Sequence, residues 1–493
     1  MAQPILLPAA FDGMAQDFPR NNMPKGKAWN LVDYISQQLG SGLTERGGWA
    51  FASASLTAVD ASATYITSAV YAPFVAGGQL LVIDDNAKLI KMVGGTNTAI
   101  SGTADKPVQN PFFHASSGLV VIPSPDGSTA PQKYDGTTLA TLGATAPAAK
   151  YGTVFVNYTW LGGSSAQPQR AYASAVGDPT AYVQTGVNAS FIDFSFPIKG
   201  FAALPNVLLV FGSDVAGRLR GTTPPPNTDM QADDPVFNIG CVDARSIATN
   251  GAFAVWANAQ GVWITNGTAF PENLTKTCGV WRYWINLMAS YTTSWTIAGD
   301  WFGDIYVCSV MNGSTFVDAF AFDTKMRQAT RVSNLKSMAF AKAGAAGQEL
   351  YAGSRVTPRI MQLSTMWTPS ATYKNDGDGT AVTGIWETPF FDTQKIGTQR
   401  WTDAYLDYDL RDAASDIPTF TVAYCTSPET GAAYTTLSPT YPATTMRETK
   451  RSPIHRKSRG LGFKVTRGNA SALARVYGIG ARVYGREGSR EDV

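Results

Sequence analysis

The chain has 493 residues, of which 15% are charged and 11% aromatic, with 47 glycines, 28 prolines and a formal net charge of +2. That composition excludes a long-helix or coiled-coil protein, and a 44% hydrophobic content excludes an intrinsically disordered one. Near-neutrality excludes a chain that coats nucleic acid along its length, but it hides an asymmetry: 447–493 carries 12 basic and 4 acidic residues, a local +8, against −6 for the rest.

Residues 1–44 read as an N-terminal arm that packs on the main body or on a neighbour. Trp29, Val32, Ile35 and Leu39 have helical spacing, although Pro and Gly flank them in PRNNMPKGKAW. From 45 to 366 one local pattern recurs: an apolar strand, a Gly/Asn/Asp turn, then a second strand. Its copies include GQLLVIDDNAKLIKMV, NVLLVFGSDVAGRLRG, GAFAVWANAQGVWITNG and GDIYVCSVMNGSTFVDAFAF. Turn centres at Asp85, Asp126, Gly162, Ser213, Ala259, Asn312 and Ser354 recur every 45 residues or so, the length of a four-stranded propeller blade. Sheets of this kind bury both faces only by stacking radially. The expectation is therefore an all-β chain with a β-propeller of about seven blades. In the fifth copy Phe253, Val255, Val262 and Ile264 are expected in a layer between blades.

Residues 367–382 are polar and turn-rich and read as a linker or loop. Residues 383–493 contain strands without the period, among them WTDAYLDYDL, PTFTVAYC and ARVYGIGARVYG, and read as a small C-terminal β-sandwich or barrel. Within it Arg447, Lys450, Arg451, Arg456, Lys457, Arg459, Lys464 and Arg467 fall in 21 residues. Such a cluster attracts phosphate or an acidic protein surface. With only Phe463 available for stacking, a subunit contact is favoured over sequence-specific nucleic-acid binding. A solvated face is the competing reading.

Cys241, Cys278, Cys308 and Cys425 show no C-x-x-C spacing and read as buried thiols in a reducing compartment. The start of the sequence carries no signal-like segment, and no apolar run of about 18 residues occurs, so synthesis in a cytoplasm is expected. Catalytic patterns are scarce. The two histidines, His114 and His455, have no metal-binding partner pattern, and neither G-x-S-x-G nor a phosphate loop is present. Ser124-Pro125-Asp126-Gly127 resembles part of a glycosidase Asp-box, but a type I turn accounts for it. Asp376, Asp378 and Glu387 have EF-hand spacing, yet Ala381 stands where the loop requires glycine. Asp407 and Asp409 share one face of a strand at a separation of about 7 Å, usable for glycoside hydrolysis but also common to any two such acids. The balance is against an enzyme and against a cofactor.

Several strings carry a resemblance. WNLVDYI…LTERGGWAFAS (29–53), QRAYASAVGDPTAYV (169–183), FPIKGFAALPNVLLVFGSDVAGRLRG (196–221), GVWITNG (261–267) and RSPIHRKSRGLGFKV (451–465) are similar to stretches of bacteriophage virion propeller proteins. The type resembled is the tail nozzle, or tail tubular protein, of short-tailed phages. The resemblance implies a virion protein of the tail, made in the bacterial cytoplasm. It implies a homo-oligomeric ring, usually of six, that extends the DNA-ejection channel and closes its end. Its implied partners are further copies of itself, the adaptor or portal-side proteins, other tail proteins, and phage DNA passing without sequence-specific binding. Contact with the host envelope is a further expectation. A receptor-binding propeller of tail or neck, and a propeller glycosidase acting on host polysaccharide, are the alternatives.

Overall fold

In the computed structural model, the described residues are 3–8, 13–24, 27–36, 43–46, 48–74, 77–226, 229–343, 349–367, 376–380, 382–392, 399–410, 419–429, 431–437, 441–442, 448–468 and 474–484. The short apolar strands fold back on themselves where the turn residues direct. A representative case is Gly303-Asp304, where Gly303 takes φ +57° and reverses the chain between Trp295–Phe302 and Ile305–Asn312.

Repeated seven times, this makes a β-propeller. Six antiparallel sheets are formed by consecutive strands within 66–99, 112–141, 151–193, 200–237, 248–273 and 295–331, and are numbered blades 1 to 6. In blade 3 an extra strand, Phe191–Asp193, lies beside the third. Blade 7 takes Ser337–Ala343, Glu349–Ser354 and Ile360–Gln362, and its fourth strand is Ala50–Phe51 from the N-terminal side. Met361 pairs with Phe51 and Gln362 with Ala50, so the ring is closed by a strand about 310 residues away in sequence. All seven expected turn centres fall at the reversal between the second and third strands of a blade.

The layers between blades hold the propeller together. In blade 5 every residue of Ala254–Asn258 and Gly261–Thr265 is buried. Val255, Val262 and Ile264 pack on one side with Tyr306 and Cys308 of blade 6. Ala254, Trp256 and Trp263 pack on the other with Leu209 and Phe211 of blade 4. Phe253 differs from expectation. It sits at the turn before the second strand and is 41% exposed, because the chain is still reversing there. The connection between blades 5 and 6 contains a helix, Trp281–Met288. It rests on blade 5 through Trp284 Nε1, which donates to the Asn258 carbonyl at 2.9 Å.

The C-terminal strands form a β-sandwich. One sheet runs Tyr34–Ser36, Leu43–Glu45, Ala474–Tyr484, Gln399–Leu410, Glu448–Ser458, with Gln3–Pro8 also paired to Ala474–Tyr484. The facing sheet contains Ile385–Asp392, Gly460–Arg467 and Thr419–Cys425. Leu406, Tyr408 and Ile479 from the first meet Phe420, Val422 and Phe463 from the second in one core. Trp29 to Ile35 is not helical. Asn30–Val32 and Tyr34–Ser36 are strands because each finds partners: Leu31 opposite Trp386, Val32 beside Arg331, Ile35 opposite Thr44. Leu39 lies outside the described residues. Asn30–Val32 therefore joins blade 6 to the sandwich in one ten-stranded sheet.

A buried charge cluster fastens this junction. Arg46 Nε reaches Asp33 Oδ1 at 2.6 Å, and Nη1 and Nη2 reach the two oxygens of Asp376 at 2.8 and 3.1 Å. Nη2 also donates to the Ser333 carbonyl at 3.1 Å. Asn334 Nδ2 donates to Asp376 Oδ2, and Ser333 donates to Asp33 through both N and Oγ. Asp33 and Arg46 of the N-terminal segment, Ser333 and Asn334 between blades 6 and 7, and Asp376 of the segment read as a linker thus meet in one cluster.

Candidate functional site

The innermost strand of each blade faces the propeller axis. A cavity of about 250 Å3 remains there, lined by Tyr71, Asn110, Arg245, Asp300 and Lys342 among others. The connection from blade 1 to blade 2 crosses it. Arg245, in the approach to blade 5, donates from Nη2 to the Pro107 carbonyl at 2.6 Å. Asn110 Nδ2 donates to the Phe340 carbonyl of blade 7 at 3.0 Å. Gln109 exchanges two hydrogen bonds with Gly152 of blade 3. Lys342 of blade 7 donates to the Thr249 carbonyl of blade 5 at 2.7 Å.

These bonds span the axis and turn the connection into a plug. Burial raises the Asp300 carboxyl above its ordinary range, with Lys342 opposing, and lowers the Arg245 guanidinium, with Asp243 opposing. Polar groups thus cross the axis beside a cavity of about 250 Å3. Nothing in the sequence flagged Pro107–Asn110, whose role depends on blades far away in the chain.

The basic segment divides when folded. Arg447 lies outside the described residues. Lys450, Arg451, Arg456 and Lys457 are exposed on Glu448–Ser458, and Arg459 is exposed in the turn that follows. Among the described residues that strand pairs only with Gln399–Leu410, which places it at the edge of its sheet. Lys464 and Arg467 are on Gly460–Arg467 in the facing sheet. Lys464 Nζ is 3.7 Å from Glu387, and Arg467 is buried, its guanidinium lowered to about 10 by burial, with Tyr34 opposing. Edge cations also bond within their own domain: Arg451 Nε meets buried Asp403 at 2.7 Å, and Arg456 Nε donates to Tyr424 Oη at 2.7 Å.

The edge carries features that oppose strand addition: Pro453, a register shift against Trp401–Asp403, His455 at φ +47° and flanking cations.

The remaining sequence candidates lie apart. Asp126, in blade 2, accepts from Ser128 N and Oγ and from Ser124 Oγ, so its carboxylate is occupied by its own turn. Asp407 and Asp409 lie in the sandwich, where Tyr477 Oη donates to Asp409 Oδ2 at 2.5 Å. Asp376 faces Arg46, whereas Glu387 faces Lys464 and Tyr434, so the two do not converge on one site. Among the described residues no group of three His, Cys, Asp or Glu side chains is placed to hold a metal ion. His114 is fully buried, with Nδ1 3.0 Å from Ser117 Oγ, and burial lowers its imidazole. All four cysteines are buried and unbridged.

No family model and no curated protein matches this chain. Among solved structures, BBS1N in complex with ARL6DN, from a mercury-soaked crystal, is similar at 13% identity and a TM-score of 0.41, covering 64% of this chain and 97% of that one. The assignment as a β-propeller rests on the seven sheets themselves.

Proposed function

We propose that this chain is a structural subunit of a bacteriophage tail, a nozzle-like ring component that extends and closes the DNA-ejection channel. The carrying observation is where the resembling strings fall. WNLVDYI…LTERGGWAFAS holds the strand that joins propeller to sandwich, the Arg46 cluster and the strand that closes the ring. RSPIHRKSRGLGFKV supplies the basic edge and its return into the facing sheet. The likeness thus covers the elements that hold the chain together. The plugged axis adds a constraint: DNA would run through the centre of a ring of copies and not through any propeller.

Electron microscopy of virions and of the purified chain tests this. A ring at the tail, and rings from the isolated protein, are expected. A stable monomer missing from purified particles refutes it.

A further inference from the structure

A propeller has two faces, because successive reversals within a blade alternate between them. One face holds the turns between first and second and between third and fourth strands. On that face Asp135, Asp178, Asp229, Asp304 and Glu349 are exposed, and Asp323 is half-buried. Glu272 there is paired with Arg327 at 2.7 Å. The other cations at these turns are Arg220 and Lys325. Asp135, Asp178 and Asp229 accept backbone N–H bonds from their turns, at Thr137, Thr180 and Thr222. Those bonds hold the carboxylates ionised and in place. The face is a fixed anionic surface.

The same chain carries an exposed cationic surface, the edge Glu448–Ser458. At about 3.3 Å per residue its 11 residues run for about 36 Å. Pro453 and the irregularity at His455 oppose pairing by backbone, which favours contacts by charged side chains. A cationic edge of one copy can meet the anionic face of another either reciprocally, about a two-fold axis, or head to tail; the head-to-tail arrangement is the one that repeats into rings, and the ring reading selects it.

We infer that the basic edge of the sandwich docks on the acidic turn face of the propeller in the next copy of this chain. The inference rests on the ring reading and names its contact. Asp304 and Glu349 are the acids to alter, since among the described residues no turn N–H donates to their carboxylates; Glu349 accepts from Tyr351 Oη.

Three variants of the full chain test it: Lys450→Glu/Arg456→Glu/Lys457→Glu, Asp304→Lys/Glu349→Lys, and the two sets combined. Analytical ultracentrifugation reads assembly, circular dichroism checks the fold, and titration with a non-specific DNA duplex reads phosphate binding. Each set alone should weaken assembly about tenfold or more, and the combination should restore it substantially. Raised salt should weaken the wild-type contact. Rings unaffected by either set overturn this contact and leave the ring reading standing, as does failure of the combined set to assemble when it is folded. Loss of DNA binding with unchanged assembly also overturns it, in favour of phosphate recognition. A wild-type chain that stays monomeric at all concentrations overturns both.

Discussion

Replacing Arg46 by Met should destabilise the protein severely. Arg46 is buried between two buried carboxylates, Asp33 and Asp376, and donates to both and to the Ser333 carbonyl over 2.6 to 3.1 Å. Methionine fills similar volume but leaves both acids without their cation. Removing one partner of a buried pair costs about 3–5 kcal/mol. Two stranded acids push toward the upper end. The bonds that survive, from Ser333 to Asp33 and from Asn334 and Trp49 N to Asp376, push back. The expected loss is about 4 kcal/mol. The control is Arg46→Met with Asp33→Asn and Asp376→Asn, which removes charge from the whole cluster. It should be less damaging than the single change, since no ion is left buried alone. Urea unfolding followed by tryptophan fluorescence, with limited proteolysis to locate the failure, measures both. The propeller–sandwich junction should open first, because the cluster ties Asp33, Ser333 and Asp376 together. A single variant within about 1 kcal/mol of wild type, or a triple variant worse than the single, refutes the reasoning.

In blade 1 buried Asp84 accepts from Asn86 N and Lys88 N, and burial, with the Asp60 charge adding to it, raises its carboxyl to about 6 from 3.8. A raised acid binds its proton more tightly when folded, so its cost is absent below about pH 4, grows up to about pH 6 and is full above it. The full shift corresponds to about 3 kcal/mol, and screening at the rim reduces this to about 1–2. Asp84→Asn should therefore stabilise the chain at pH 8 and change little at pH 4, by thermal melts across that range. Burial pushes the Cys241 and Cys278 thiols up to about 12 and Cys308 higher still. Native protein at pH 8 should resist thiol reagents, and denaturant should release four reactive groups per chain. Leu31→Ala removes a core side chain from the bridging strand and should cost about 2–5 kcal/mol, with proteolysis separating propeller from sandwich.

The blades were legible because their central hairpins are local. Asp85, Ala259 and Asn312 announce reversals within a few residues, and the apolar runs on either side are buried on both faces. Ala50–Phe51 was not legible as a strand. Two residues carry no periodicity, and their partner, Met361–Gln362, is fixed only once the ring has formed. The N-terminal segment misled for the same reason. Trp29, Val32 and Ile35 fit a helical stripe, but pairing across distant strands outweighs so short a local preference. The helix Trp281–Met288 offered a signal that went unread: Trp281, Trp284 and Met288 recur at helical spacing after Asn273, whose side chain caps the preceding turn by accepting from Lys276 N at 3.0 Å. The basic cluster was legible as charge but not as geometry. The turn at Arg459–Gly460 sends Lys464 and Arg467 into the facing sheet, so contiguity in sequence overstated the patch.

The path of the chain ties propeller and sandwich together at more than one point. A propeller closed by its own last strand could release a C-terminal domain on a tether. Here the N-terminal segment pairs first with the sandwich at Tyr34–Ser36 and Leu43–Glu45, and then supplies the closing strand of blade 7. Opening the junction therefore strains ring closure, and opening the ring strains the sandwich. The connection across the propeller axis adds a third tie, since Pro107, Gln109 and Asn110 bind blades 5, 3 and 7. A force applied at the sandwich is borne by the ten-stranded sheet and the Arg46 cluster together, not by a single loop. For a subunit proposed to sit in a conduit under load, such interlocking would limit movement of the basic edge relative to the acidic face of the same copy, as a repeating head-to-tail contact requires.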